Sequence, residues 1–230
     1  IGENKNIKRF HSIALKPGML KNKSHFEGVV FKGVSSNFDW SSLDTFLTEG
    51  RFPDLSNRIS KEILISETLA RQLDLKVGDQ TDSFFQNLSI NGLPKKRRFT
   101  ISGIYFSGFP DIDQTLLFGD LRQIQKLNLW EENMIGGYEL FVKNFSLIQK
   151  TTDNIYNDIP SELNSIPIFD RFPSIFQWIS LFDFNVLIIL IIMILVGVTN
   201  MATALLVLIL ERSRMVGLLK AVGARNKLIQ

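Results

Sequence analysis

Few side chains in this sequence have the types and spacing that perform covalent chemistry. Its two histidines, His11 and His25, do not fall at a spacing that sets them with carboxylates on one face, so no metal site or histidine base is expected. Cysteine is absent, which removes disulfides, thiolate nucleophiles and cysteine metal ligands. Ser66 in ISE and Ser102 in ISG lack the glycine-flanked elbow that exposes a serine nucleophile. Asp111 and Asp113 in GFPDIDQ are close enough to act as paired carboxylates, but Gly108 and Pro110 mark that segment as a turn between strands. No glycine-rich loop opens a helix, so no Walker-type phosphate cradle is present. The sequence therefore predicts no catalytic residue, no cofactor-binding residue and no metal ligand.

The remaining chemistry is recognition. Lys95–Arg98 (KKRR) leads into a strand, where such a run serves as a solvated edge or, alternatively, contacts anionic head groups or an acidic partner. Asn128–Gly137 places Leu129, Trp130 and Met134 between a helix and a strand, closed by Gly136-Gly137. Trp and Met favour recognition surfaces, so Trp130 and Met134 are candidates for a protein contact, with packing on the adjacent helix as the alternative.

The elements that carry these residues alternate between strands and short helices. Arg9–Leu15 and Phe26–Val34 read as strands, with Pro17-Gly18 as a turn signal. Lys61–Ile65 is a strand, and Ser66 caps a helix over Glu67–Leu73. A strand near Asp82–Ile90 follows Gly78-Asp79, turns at Asn91-Gly92 and returns as Arg98–Phe106. Gln114–Phe118 is a strand, Asp120 caps a helix through Leu127, and Tyr138–Lys143 is a strand. Ser146–Ile159 reads as a helix and Ile166–Phe169 as a short extended piece. Hairpins with helices between them predict an α+β domain.

Beyond this domain, Phe184 to Leu210 contains no Asp, Glu, Lys, Arg or His. As a helix it is about 40 Å long, against a hydrocarbon core of about 30 Å. It is followed by Arg212, Arg214, Lys220, Arg225 and Lys227 against the single carboxylate of Glu211. Cations packed at one end of a span mark the cytoplasmic side, so the helix runs outside to inside. Residues 211–230 carry a formal charge of +4 and the rest of the chain −1, for a total of +3, which removes the argument for nucleic-acid binding. Within the span, Asn200, Thr199 and Thr203 are polar and Gly197 permits close approach, which predicts contact with another helix. Ahead of it, Phe172, Ile175, Phe176, Ile179 and Phe182 fall at helical spacing over Phe172–Asp183. They extend the span outward as an anchoring belt or as an apolar surface for a lipidic ligand or partner helix. Behind it, Met215, Val216, Leu218, Leu219 and Val222 form an apolar stripe among cations. That suits a helix on the inner leaflet or one presented to a soluble partner.

The segment ERSRMVGLLKAVGARNKLI resembles the signature of the FtsX-like and MacB-like permeases of ABC transporters. Gly217, Lys220, Ala221, Gly223 and Ala224 stand where that block has them. EGRFPDLSN, EILISETLARQLDLKVGD, RRFTISGIYFSGFPDIDQTLLF and GYELFVKN resemble the periplasmic domain of the LolC/LolE lipoprotein-releasing permeases. The resemblance implies a fragment of a four-span protein of the inner membrane. Residues 1–171 are a periplasmic domain of the MacB-like core type, 172–183 its helical extension, 184–210 the second span and 211–230 a short cytoplasmic coupling helix. It also implies a cytoplasmic ATPase contacted by Glu211, Arg212, Arg214, Gly217, Leu218, Lys220 and Gly223, and a second permease subunit, identical or not. Phe172, Phe176, Ile179 and Phe182 would touch lipid and the lipoprotein substrate, Trp130 and Met134 a periplasmic carrier protein, and Gly197 and Asn200 a neighbouring helix. Rival expectations are a MacB-type exporter, an FtsX-type regulatory permease and, from another class, a single-span sensor.

Overall fold

The computed structural model describes residues 6–56, 58–87 and 92–223. The chain forms two compact units, Ile1–Thr151 and Thr152–Gln230.

The first unit is built on eight strands: β1 Ile7–Asn22, β2 His25–Val34, β3 Leu47–Gly50, β4 Glu62–Ser66, β5 Gln80–Phe85, β6 Lys95–Tyr105, β7 Leu116–Asp120 and β8 Gly137–Val142. Helices α1 Glu67–Leu73, α2 Pro110–Asp113 and α3 Leu121–Asn128 lie between them, and α4 Ile148–Asp158 crosses into the second unit. The ladder runs β2-β7-β4-β6-β5-β1, and β1 also pairs with β2, so the strand circuit closes on itself. β8 adds to the first half of β1, and β3 to the end of β6. The β2–β7 and β4–β6 pairs are parallel, which places this domain in the mixed α+β class.

Phenylalanine fills the ring. Phe31, Phe85 and Phe99 come from β2, β5 and β6, are each about 1% exposed, and have centroids 5.3 to 6.4 Å apart. Leu69 and Leu73 of α1, with Ile124 and Leu127 of α3, join the same core. A side chain at Gly33 would place Cβ 2.8 Å from the Leu121 backbone, so glycine there lets α3 close on β2.

The expected turn at Pro17-Gly18 is absent; β1 runs straight through it, and the hairpin turns instead at Lys23, with φ +52°. Pro17 lies between the stretch paired with β8 and the stretch paired with β5, where β1 has only β2 beside it. No ladder bond there needs the N–H that proline lacks. At Gly18 a Cβ would meet the Phe85 ring at 2.7 Å, so this glycine serves packing rather than turning. Ile166–Phe169 is likewise not extended, because Pro167 caps the short helix α5 Ile168–Arg171. The Ser66 and Asp120 caps form as expected, Ser66 Oγ accepting from Leu69 N at 3.1 Å and Asp120 Oδ1 from Arg122 N at 2.9 Å. Asn91 of the expected hairpin turn lies outside the described residues.

Asp120 does more than cap α3. Its Oδ2 also accepts from Ser60 N at 2.7 Å and from the Arg122 guanidinium, which donates onward to the carbonyls of Leu55 and Arg58. A carboxylate only 2% exposed thus ties the irregular segment before β4 to the start of α3. Asp120→Ala leaves the backbone N–H groups of Ser60 and Arg122 and the Arg122 guanidinium without their acceptor. The expected cost is about 3 kcal/mol of domain stability, read as a lower denaturant midpoint with an unchanged slope.

His11 is 5% exposed, between Phe38 at 4.9 Å and Phe141 at 5.7 Å, and neither ring nitrogen has a partner. Its cross-strand neighbour Glu139 is taken by Lys32 at 2.8 Å. Burial, aided by the Arg9 charge, holds the imidazole pKa below its ordinary value of 6.5. The unfolded chain therefore takes up a proton on acidification before the folded one does, and stability falls as pH drops below about 6.5. Thermal unfolding should show a lower Tm at pH 5.5 than at pH 7.5, and the His11→Phe variant should lose that difference.

Candidate functional site

The second unit is dominated by α6 Pro173–Ala221, 49 residues long. Pro173 occupies its first turn, where a missing N–H costs nothing. Gly223 closes its other end with φ +92°, donating its N–H to Lys220 O at 3.0 Å. At 1.5 Å per residue the helix is about 70 Å long, more than twice a hydrocarbon core. It is the one helix among the described residues long and apolar enough to cross a membrane.

The segment expected as a short separate helix after Leu210 is not separate. Helical hydrogen bonding continues through Glu211 to Ala221, because no proline or glycine pair interrupts it and Gly217 alone is a mild cost. The outer extension, the charge-free run and the basic end are one rod. Ala224 and the last two cations, Arg225 and Lys227, lie outside the described residues.

Along this rod the four expected lipid-contact residues separate into two kinds. Phe172 and Phe176 are half-buried, and Phe176 meets Phe169 of α5 edge to face at 6.2 Å. Ile179 is 51% exposed and Phe182 64%, one helical turn apart on the same face. Trp178 is also exposed. In the middle of the run, Thr199 and Thr203 donate their hydroxyls back to Leu195 O and Thr199 O, at 2.8 and 2.9 Å. Asn200 has no hydrogen bond within the described residues, and nothing lies within 4 Å of a Cβ placed on Gly197. At the basic end Glu211, Arg212, Arg214, Leu218 and Lys220 are all exposed, and Gly217 is as open as Gly197.

In the first unit, the loop before β8 separates its two candidate residues. Trp130 packs against the main core beside Ile135, whereas Met134 is 47% exposed and Leu129, held at φ +57° by the end of α3, is 80% exposed. Gln125 fixes the loop by donating to the carbonyls of Glu132 and Met134. The outward apolar pair is thus Leu129 and Met134.

The KKRR run divides by strand alternation. Lys96 and Arg98 bind Asp82 at 2.7 and 2.9 Å, and these cations hold its carboxyl below the usual range, Arg98 foremost. Lys95 donates to Leu127 O at the C-terminal end of α3, a favourable place for a cation. Asp113, one of the two carboxylates in the GFPDIDQ segment, is 2% exposed and accepts from Ser107 N, Ser107 Oγ and Gly108 N. It staples the turn between β6 and β7, a role that its sequence neighbours Ser107 and Gly108 could have signalled. Among the described residues no three His, Asp or Glu side chains converge as metal ligands would.

No protein-family model matches the sequence, and no curated protein matches it. Among solved structures, the extracellular domain of YknZ, a noncanonic ABC-type transporter from Gram-positive bacteria, is similar. The TM-score is 0.44 at 13% identity, covering 67% of this chain and 76% of that one. The periplasmic region of MacB from Actinobacillus actinomycetemcomitans gives 0.43 at 12% identity, covering 68% and 69%. Likenesses this distant assign no function or partner.

Proposed function

We propose that this chain belongs to a permease subunit of an ATP-driven ABC transporter of the inner membrane. In this reading it lifts lipoproteins out of the bilayer and passes them to a periplasmic carrier. The observation that carries the proposal is the continuity of α6. One unbroken helix joins an apolar outer face at Ile179 and Phe182, a charge-free span, and the basic segment bearing Gly217, Leu218 and Lys220. A rod of that kind transmits displacement from one side of a membrane to the other, which an anchor has no need to do. It runs outside to inside, with Arg212, Arg214 and Lys220 in the cytoplasm.

The reaction needs such a device because an acyl chain leaves lipid at a cost of about 0.8 kcal/mol per CH₂. ATP-driven closure of a cytoplasmic ATPase shifts the basic end, and the outer end of α6 moves with it. Ile179 and Phe182, with their counterparts in a second subunit, then offer the acyl chains a transient apolar surface. Leu129 and Met134 face the carrier, with Trp130 as their support. This chain supplies no catalytic group and holds no cofactor; hydrolysis belongs to the partner.

The test is isolation of the full-length protein from membranes in mild detergent. A co-isolated ATP-hydrolysing subunit, and ATP-dependent transfer of a lipoprotein from proteoliposomes to a soluble carrier, are expected. A kinase or signalling region continuous with the chain would replace this reading by a single-span sensor. ATPase activity with export of a soluble substrate and no lipoprotein transfer would favour a MacB-type exporter. ATPase assembly that only switches a cell-wall hydrolase would favour an FtsX-type regulator.

A further inference from the structure

In the first unit, the sheet face turned away from the phenylalanine core is covered over only part of its extent. Ile13, Val34 and Phe118 lie on that face and pack with a layer that includes Phe38, Trp40 and Leu55. Strand alternation carries the same face onward as Leu15, Pro17 and Met19 of β1, with Val30 and Phe26 beside them on β2. There the cover stops. Leu15, Met19 and Phe26 are 41%, 47% and 50% exposed. Phe84 of β5, opposite Met19, widens the patch. A Cβ on Gly28, between Phe26 and Val30, would meet nothing within 4 Å. An apolar sheet face of this kind is ordinarily buried against another layer.

Charge runs along one flank of the patch. Asp82 lies across the ladder from Lys21 on one side and from Arg98 on the other. Its carboxylate binds Lys96 and Arg98 at 2.7 and 2.9 Å. Lys21, with no carboxylate partner among the described residues, lies over the Phe26 ring at 4.8 Å, and Lys96 lies over Phe84 at 5.9 Å. Three cations thus border the apolar surface against one carboxylate.

We infer that this half-face seats an amphipathic helix of another protein, apolar underneath and carrying carboxylates along the flank that meets Lys21, Lys96 and Arg98. The excess of cations selects an acidic occupant, and the dimensions select a helix. β2 and β5 flank β1, so the patch is about 10 Å wide, and a helix with its side chains is about 10 to 12 Å across. Leu15 to Lys21 spans about 20 Å, the length of about 13 helical residues. A helix of that size completes the layer begun by Phe38, Trp40 and Leu55. A bilayer fits the patch less well. The covering layer stands beside it as a step about 10 Å high, and no Trp or Tyr lies on it to sit among head groups. The inference stands on the first unit alone and does not depend on the ATPase, substrate or carrier of the proposed function.

The test places the full-length protein in vesicles of phosphatidylethanolamine and phosphatidylglycerol. The probe is a fluorescein-labelled helical peptide of about 14 residues, with leucines on one side and glutamates along one flank. Saturable binding above that of protein-free vesicles is expected by anisotropy. Met19→Glu should weaken it more than about tenfold and Lys21→Glu about fivefold. Circular dichroism should not change, since Met19 is exposed and Lys21→Glu breaks no ion pair among the described residues. A peptide with glutamines in place of its glutamates should bind several-fold more weakly. No binding, equal binding of the glutamine peptide, or undiminished binding to Met19→Glu overturns the inference. Because the sequence has no cysteine, a bimane on Gly28→Cys reports what this face touches. Nitroxide-labelled lipid should leave it unquenched; strong quenching would assign the face to the bilayer and overturn the helix reading.

Discussion

Replacing Leu218 by Asp is expected to strip the ATPase from the membrane-bound protein while leaving the protein itself inserted. Leu218 is 70% exposed, and Met215, Leu219 and Val222 near it are exposed as well, so α6 ends in an apolar stripe with no cover from its own unit. If that stripe seats in a groove of a soluble partner, Leu218 alone contributes about 2 kcal/mol of burial, or roughly thirtyfold in affinity. A carboxylate in the same groove would be desolvated without a counter-charge and adds several kcal/mol more. Co-purified ATPase should therefore fall more than about a hundredfold. Gly217 provides a control that separates docking from helix stability. With open space around its Cβ, Gly217→Ala should strengthen an unbound helix by about 1 kcal/mol. Loss of ATPase activity on that same change shows that a neighbour approaches too closely to admit a methyl group. Unchanged co-purification and activity in both variants would leave the basic end as a membrane-surface helix and remove the ATPase from the proposal.

The parts of this molecule governed by local chemistry were legible in its residues. Ser66 and Asp120 announce helix starts because a short oxygen-bearing side chain satisfies the free N–H groups of a first turn. The charge-free run announces a long helix by composition alone. What could not be read is what depends on pairing over distance. Pro17-Gly18 has the composition of a turn, and only the position of β8 and β5 along β1 makes it a place where a strand can omit an N–H. β3 has no sequence signal of its own; it exists because β6 has an open flank near Gly103. Trp130 could be read as a surface contact or as packing on the adjacent helix, and only the fold decides: the core beneath α3 takes its ring and leaves Leu129 outside. The ties from Asp120 to Ser60 and through Arg122 to Leu55 join segments about sixty residues apart, a contact no local pattern encodes.

The candidate site was legible as a stripe but not as a graded one, and the grading sharpens the second large effect. Ile179→Asp is expected to block release of lipoprotein while ATPase assembly and basal hydrolysis continue. Ile179 and Phe182 are exposed side chains on one face of α6, whereas Phe176 is already engaged with Phe169. A charge at 179 breaks no contact within the unit, so the helix should persist and the basic end should still hold its partner. What it removes is an apolar surface for acyl chains, and it substitutes an ion that would have to be desolvated against them. The loss of about 2 kcal/mol of burial, with that penalty added, should slow ATP-dependent transfer to a soluble carrier more than about thirtyfold. Phe176→Asp should act at least as strongly on transfer but also separate α5 from α6, and circular dichroism with protease sensitivity would register the difference. Two variants that pass lipoprotein at the normal rate would show that substrate takes another route. An Ile179→Asp variant that loses the ATPase as well would show that the outer face and the basic end do not act as separate ends of one rod.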